Sequence, residues 1–400
     1  MRIQLITHYF PPEIGAAPRR LGAFARHWSA AGHAVTVIAP LPHYPSGHLA
    51  TGWHWRDLRR ATVEDGVTVV RVPFVPTRRG GAVKLADHLA VALAAIGPAT
   101  ARRERPDVVV ASIPSVPTLG TGLVASRRWR APLVLDMRDS WPDLIEETGL
   151  LPGAPARWLT RLVAAGQRRA EAIVTVPPAF ARSLERRGYP AERIFHIPNG
   201  IDVASVPLQP APPKERSRLR VLYLGTIGVS QGLETVVGAL ADLGPERVEA
   251  RFVGDGTEKP ALEEASRRLG APVSFGDPVT GQDLTDAYAW ADTCLVPLRD
   301  WPSFNDAVPS KLYEIMAAGR YVTASLAGEG ATVVRAAGGG TVVPPEDRAG
   351  LAEALGHLAD HREELDVGAG PRTWVTEHAD VGRLADRYLE VLERAVGGTA

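Results

Sequence analysis

The chain has 400 residues, with 45 Lys+Arg against 45 Asp+Glu and a formal net charge of zero. This length exceeds one ordinary core, so two domains are expected, and the charge balance removes the electrostatic case for bulk nucleic-acid binding. The single cysteine, Cys294, excludes a disulfide framework within the chain and fits a reducing cytoplasm.

Residues 1–7 read as a short strand rather than as the apolar core of a secretion signal. Strands are expected at 3–7, 34–39, 67–72, 108–112, 133–136, 172–176 and 194–197, with helices such as 18–31 and 82–103 between them. Repeated strand–helix units imply a parallel sheet with helices on both faces. The uncharged run 108–126 is long enough to span a bilayer, but its prolines and glycines divide it into a buried strand, a turn and a buried helix. The helix at 82–103, with basic residues flanking it, reads as an amphipathic crossover or as a peripheral membrane contact. A polar stretch with Pro207, Pro210, Pro212 and Pro213 then breaks the pattern. Strands resume at 220–224, 250–253, 273–275, 293–297, 321–324 and 340–343. Helices are expected at 231–243, 259–269, 282–290, 310–318, 331–337 and 350–360, and a last one at about 380–395 follows a Pro/Gly/Trp-rich turn. The basic residues are nearly all Arg; only Lys84, Lys214, Lys259 and Lys311 are lysines, which reads as compositional bias.

Ligands of such sheets sit at the carboxyl ends of strands, and candidate loops occur there. After the first strand, Glu13 and Gly15 lead into a helix carrying Arg19, either as an anion site or as a plain turn. After the second, His43 and Tyr44 are placed to hydrogen-bond a hydroxylated substrate; His43 and His48 have no acidic or Cys neighbour in sequence, so no metal is expected. Arg138, Asp139 and Trp141 follow the fifth strand, as a functional turn or as a salt-bridge cluster with Asp136 and Asp143. Asn199-Gly200 is a turn at the domain junction. In the second half, Gly225, Thr226 and Gln231 form a candidate phosphate turn, Gly254 lies in a second Gly-turn, and Phe275 closes the next strand. Arg299 stands in the loop that leads to Asp306.

The most informative stretch runs from Asp306 to Gly319. Pro309 and Ser310 open a helix, Gly319 closes it, and Leu312, Ile315 and Met316 mark a buried face. A helix N-terminus carries unpaired N–H groups and partial positive charge, to which Lys311 adds a full one. Glu314, one turn further in, is placed to take two sugar hydroxyls. Phosphate plus vicinal hydroxyls means a nucleotide or nucleotide-sugar.

In this order and spacing the motifs resemble the retaining family 4 glycosyltransferases, α/β proteins of the GT-B fold with two facing Rossmann-like domains. The likeness rests on Phe10–Gly15 with Arg19, Gly32–Ile38, Pro198–Asp202, Gly254–Gly256, Pro309–Glu314 and Pro344–Asp347. The branch with Pro-His-Tyr-Pro at 42–45 looks like bacterial transferases of amino or deoxy sugars. The resemblance implies an acceptor-side domain at 1–200, a nucleotide-sugar domain at 201–379, and a terminal helix at about 380–396 that packs back on the first. It implies a donor site of Gly15, Gly225, Thr226, Gln231, Gly254, Phe275, Arg299, Pro309, Ser310, Lys311, Leu312 and Glu314, with Glu314 on the ribose. Glu13, Arg19, His43, Tyr44, Arg138 and Trp141 would face the acceptor. Lys311, Asp139 and Asp306 would act in catalysis; Asp306 is one methylene shorter than the Glu that opens the family's E-x7-E pattern.

Two departures stand out. Thr226 and Gln231 occupy places where relatives often carry Arg and Lys, so diphosphate charge falls to Lys311, Arg299 or Arg19. The segment after the fourth strand lacks the family's His, leaving Asp139 or His43. The implied reaction moves a sugar from a UDP- or GDP-linked donor to a small-molecule or lipid-linked acceptor in the cytoplasm, with no cofactor. No D-x-D pair is present to hold a divalent metal. A GT-B epimerase would need acid and base groups near the sugar, a pyridoxal-phosphate phosphorylase would need a Schiff-base lysine, and a non-catalytic nucleotide-sugar-binding subunit would do neither chemistry.

Overall fold

The computed structural model describes residues 1–44, 46–58, 61–76, 81–101, 104–113, 115–138 and 154–398. The chain forms two units, Met1–Asn199 with Val381–Ala400, and Gly200–Asp380.

Unit 1 is built on the strands β1 (Arg2–Ile6), β2 (Ala34–Pro40), β3 (Ala61–Glu64), β4 (Val67–Val72), β5 (Val108–Ile113), β6 (Leu133–Met137), β7 (Ala172–Thr175) and β8 (Ile194–His196). They lie in the order β3-β4-β2-β1-β5-β6-β7-β8, parallel except for the β3–β4 hairpin. Helices α1 (Ala16–Ala30), α2 (Gly81–Thr100), α3 (Val116–Trp129), α4 (Ala154–Arg169) and α5 (Pro178–Arg186) connect them. Strands covered on both faces read as continuous apolar runs; every residue of β5 is buried. The sequence pattern does not mark β3, because all four of its residues are exposed. Its hairpin is set instead by Asp65 and Gly66, both with positive φ, 50° and 78°.

The run 108–126 divides into β5 and α3, and no described helix is long and apolar enough to cross a membrane. Helix α2 buries Val91, Ala92, Ala95 and Ala99 and exposes Leu89 and Leu93. The basic flanks at 78–79 and 102–103 lie outside the described residues.

The C-terminal helix Val381–Gly397 belongs to unit 1. Leu21, Phe24, Ala25 and Trp28 recur at helical spacing on α1 and meet Leu384, Tyr388 and Leu392 in one core. The Tyr388 ring lies 5.7 Å from Phe24 and 5.2 Å from Trp28, and Trp28 Nε1 donates to the Ala385 carbonyl at 3.0 Å.

Unit 2 has the strands β9 (Leu219–Leu224), β10 (Val248–Val253), β11 (Val273–Gly276), β12 (Thr293–Pro297), β13 (Tyr321–Ser325) and β14 (Gly340–Val343). They form a parallel sheet in the order β11-β10-β9-β12-β13-β14. Its helices are α6 (Leu233–Leu243), α7 (Lys259–Leu269), α8 (Gly281–Trp290), α9 (Ser310–Ala317), α10 (Gly328–Ala337), α11 (Arg348–Asp360) and α12 (Gly370–His378). Strand order reverses between β9 and β12, and that switch point is where doubly wound sheets open a crevice at their carboxyl ends. Helix α12 replaces the expected turn: Pro371 stands in its first turn, where no N–H is missed, and Val375 is buried. Cys294 is buried in β12, and burial pushes its thiol up to about 12, as a packing residue requires.

The proline-rich segment is not a free tether. Arg320 Nη1 donates to the Pro210 carbonyl at 2.7 Å, Arg362 Nη2 to Pro213 at 3.2 Å, and Arg372 Nη2 to Val203 at 3.0 Å. Arg362 is itself paired at 2.7 Å with Asp292, which is fully buried. We expect Leu392→Ala to destabilise unit 1 by about 2–5 kcal/mol, read by urea denaturation; an unchanged midpoint would mean that the terminal helix does not share this core.

Candidate active site

In unit 2 the β9 loop and the start of α9 meet at one ammonium, and the β10 loop packs on the β9 loop. The carboxyl end of β9 gives way to Gly225, with φ 127°, and a Cβ at this position would lie 3.0 Å from Lys311 Nζ. The bare backbone therefore leaves room for the ammonium. Nζ donates to Tyr223 Oη at 3.2 Å and sits 4.2 Å from that ring's centroid, a cation–π contact. Tyr223 Oη donates its own proton to the Thr226 carbonyl, so its lone pairs face the ammonium. Burial raises the Tyr223 phenol well above its ordinary range and keeps it neutral. Burial also pushes Lys311 down to about 8, opposed by Glu314 acting through space. No side chain caps the N-terminus of α9, whose first residue is Ser310 and whose cap position is Pro309.

The β9 and β10 loops touch backbone to backbone. A Cβ on Gly254 would lie 1.8 Å from the Gly225 carbonyl oxygen, and one on Gly256 would lie 2.2 Å from that of Ile227. The Gly225 N–H donates to Val253 at 3.0 Å and the Ile227 N–H to Asp255 at 2.9 Å. Lys259 Nζ reaches back to the Gly254 and Gly276 carbonyls at 3.1 and 3.0 Å and to Asp277 at 3.2 Å. Its charge serves these loops.

The other predicted donor residues divide. Thr226 is exposed, Ser310 and Glu314 are half-buried, and Asp306 is exposed. Gln231 Oε1 accepts the Gly228 N–H at 3.2 Å and closes its own turn. Leu312 is fully buried in the core, and its N–H donates to the Pro309 carbonyl at 3.0 Å. Phe275 packs edge-on against Phe252. Arg299 departs from the expectation of a free diphosphate cation. It pairs with Glu234 and, at 2.8 Å, with Glu346, while Nε donates to the Val229 carbonyl at 2.6 Å. Two carboxylates already match its charge. The Gly328-Glu329-Gly330 turn spends its Glu329 N–H on the Asn305 carbonyl at 2.8 Å. Tyr223, the residue that holds Lys311, carries no signal in the sequence beyond its place in an apolar strand.

In unit 1 the loops after β1 and β2 join around Glu13. Its Oε1 accepts the His43 and Tyr44 N–H groups, both at 2.9 Å, and Oε2 accepts that of Phe10 at 3.3 Å. Glu13 and His43, expected to face an acceptor, are only 9% and 5% exposed; they shape the loop. Tyr44, Arg19 and the tip of the Gly15 loop do reach solvent. His43 also has an acidic partner that its sequence neighbours do not supply. Its Nε2 lies 3.3 Å from Asp87 Oδ2 on α2, and His8 Nε2 lies 3.2 Å from the same oxygen. Burial opposes charge on His43, but bonds to Asp87 and the Leu41 carbonyl outweigh it and raise its pKa. Burial lowers that of His8 against the pull of Asp87. Arg138 is half-buried at the end of β6, where Asp136 faces Arg20 at 3.7 Å in the core. Asp139 and Trp141 lie outside the described residues.

Residues 15–200 match the family model described as a glycosyl transferase 4-like domain, and residues 218–361 match that of glycosyl transferases group 1. The chain is similar to the protein named as a colanic acid biosynthesis glycosyl transferase, WcaI, of Escherichia coli K12. The two are 26% identical over 337 residues, 80% of this chain and 82% of that protein. It is also similar to the phosphatidyl-myo-inositol mannosyltransferase of Mycolicibacterium smegmatis, 26% identical over a 416-position alignment covering 99% and 95% of the two chains. Among solved structures, sucrose-phosphate synthase from Thermosynechococcus elongatus matches with a TM-score of 0.73 at 17% identity, covering 99% of each chain. HepE from Anabaena, in complex with UDP-glucose, matches with a TM-score of 0.68 at 19% identity, covering 98% of this chain and 99% of its own. The chain belongs to the family 4, group 1 glycosyltransferases and has their GT-B fold.

Proposed function

We propose that the protein is a retaining glycosyltransferase that takes a sugar from a nucleoside-diphosphate donor, with UDP favoured over GDP, to a small-molecule or lipid-linked acceptor. The observation that carries this reading is the Lys311 ammonium, half-buried beside Gly225 and hydrogen-bonded to a phenol instead of a carboxylate. A diphosphate placed there supplies the missing countercharge. The HepE structures hold UDP or UDP-glucose, which supports UDP. One relative is named for colanic acid biosynthesis and the other as a phosphatidyl-myo-inositol mannosyltransferase, and the second name supports a lipid-linked acceptor.

In the proposed reaction the bond from the anomeric carbon to the diphosphate oxygen breaks, and positive charge grows on the sugar. Lys311 and the N–H groups at the start of α9 stabilise the negative charge that grows on the leaving group. Glu314 holds the ribose hydroxyls. The departing phosphate oxygen takes the acceptor proton on the face it leaves, so configuration is kept and no metal is needed on the diphosphate. Residues 1–200 carry the acceptor side, with Tyr44 and Arg19 as its exposed contacts, and residues 201–379 carry the donor side.

Three outcomes follow. With UDP-glucose as probe and water as a slow acceptor, NMR detects first-formed free sugar with the donor's anomeric configuration; an inverted product, or a donor epimerised without transfer, refutes the assignment. Lys311→Met weakens UDP binding by about 10- to 100-fold, the worth of a charged hydrogen bond, while raising the melting temperature of the ligand-free protein, because a charge whose desolvation outweighs the pull of Glu314 is removed. Equal UDP affinity in calorimetry would exclude Lys311 from the diphosphate site.

The third outcome concerns pH. Lys311 binds the anion in its protonated form and titrates near 8 in the free protein, so UDP affinity falls as pH rises above about 8, whereas Lys311→Arg holds its affinity there. Without ligand the sign reverses. Between about 8 and the ordinary 10.5 the unfolded chain binds the extra proton, so stability rises with pH through that window. A flat affinity profile from pH 7 to 9.5 would show that this ammonium does not meet the anion.

A further inference from the structure

We propose that His8, His43 and Asp87 form a binding site in unit 1 for one divalent first-row transition ion of the zinc class. The residues come from three separate segments: the loop after β1, the loop after β2, and helix α2. They are 1%, 5% and 3% exposed. One candidate ligand atom from each falls within 4.8 Å of the others.

Hydrogen-bond accounting leads to the ion. His43 Nδ1 lies 2.9 Å from the Leu41 carbonyl oxygen, an acceptor only, so Nδ1 must carry a proton. In the neutral imidazole Nε2 then presents a bare lone pair. That lone pair faces Asp87 Oδ2 at 3.3 Å, and the same oxygen faces His8 Nε2 at 3.2 Å. Between His43 and Asp87 two acceptors are aimed at each other, which requires a cation, either a proton or a metal; His8 meets the same oxygen by donating Nε2–H, or releases that nitrogen to an ion by carrying its proton on Nδ1. A proton held between an imidazolium and a carboxylate draws the heavy atoms to about 2.7–2.9 Å, and the His43–Asp87 separation of 3.3 Å is longer. A tetrahedral zinc with bonds of about 2.0–2.2 Å holds its ligand atoms roughly 3.3–3.5 Å apart, close to the separations of both histidines from Asp87.

The surroundings of His43 and Asp87 have the form that metal sites take, whereas His8 Nδ1 is buried without a hydrogen-bond partner. A ligating histidine ordinarily donates its other ring N–H to a carbonyl or carboxylate, which fixes tautomer and ring orientation. His43 does so to Leu41, with Glu13 Oε1 3.5 Å from the same nitrogen. Its ring is further held by stacking on Phe74, with centroids 4.2 Å apart. Asp87 keeps Oδ2 for the cluster because Oδ1 accepts the Val75 N–H at 2.8 Å. With three protein ligands, a fourth position is left for a water. The ion replaces the proton that would otherwise sit on His43, and affinity therefore falls in acid as the imidazoles protonate. The assignment is independent of the proposed transfer reaction and reverses the reading of His43 as a histidine without metal partners.

The test uses the full chain without a polyhistidine tag, stripped with a chelator and titrated with Zn²⁺ or Co²⁺. One equivalent is expected by elemental analysis after desalting, with the visible absorption of four-coordinate Co²⁺ and a melting temperature raised by several degrees. Asp87→Ala and His8→Ala lose the bound ion, whereas His48→Ala, an exposed histidine in the same loop, keeps it. The wild-type titration stands even if a variant fails to fold. No stoichiometric ion and no Co²⁺ absorption in wild-type protein overturn the site, leaving a buried imidazolium–carboxylate pair. Undiminished binding in folded Asp87→Ala overturns it equally.

Discussion

An ammonium withdrawn from water loses several kcal/mol of solvation unless a countercharge restores it. Lys311 is placed in that position by the fold. Helix α9 enters the sheet's switch point with its apolar face in the core, which carries the lysine inward, and Tyr223 offers only a neutral oxygen and a ring face. The rest of the donor end follows. Gly225 is bare so that the ammonium fits, Thr226 is held by its carbonyl to the same phenol, and Lys259 and Arg299 neutralise charges of their own. Among these cations, Lys311 is the one whose protonation the surroundings penalise, and an incoming diphosphate removes the penalty.

The sheets were legible in the sequence because a parallel strand buried on both faces must be written as an apolar run, and the single restart of the pattern after the prolines gives two sheets. β3 has no core face to write, and α12 hides behind a proline that marks turns as often as helix starts. Helix α9 was legible from Pro309, Ser310 and the Leu312–Met316 spacing. Its chemistry was only half visible, since Tyr223 lies 88 positions away and nothing local ties the two. The same holds for His43: its sequence neighbours carry no acid, and the fold brings Asp87 across from α2. Partnerships made by topology leave no spacing to read.

The arginine-rich composition, which reads as bias, also has structural uses. Segments rich in proline carry carbonyls that no strand ladder satisfies, and a guanidinium offers five donors to meet them. Arg320, Arg362 and Arg372 do so for residues 203–213, and the buried Arg71 Nη1 donates to the Pro40 carbonyl at 3.1 Å. A lysine offers one compact, rotatable ammonium instead of a planar fork of donors, so it holds such carbonyls with less preset geometry. The positions that pin backbone in this way are poor candidates for function despite their charge.

The contact between the β9 and β10 loops bears on how this protein can evolve. Where Gly254 and Gly256 press against the carbonyls of Gly225 and Ile227, no side chain of any kind can be accommodated without pushing the two loops apart. The loops are thus one part with two segments, and neither can drift alone. A lineage that shifts to a new donor must leave this contact intact and rework the solvent-facing residues beside it, Thr226 among them. Diversity is confined to the rim, while the interlocked backbone beneath it stays common to every variant that still folds.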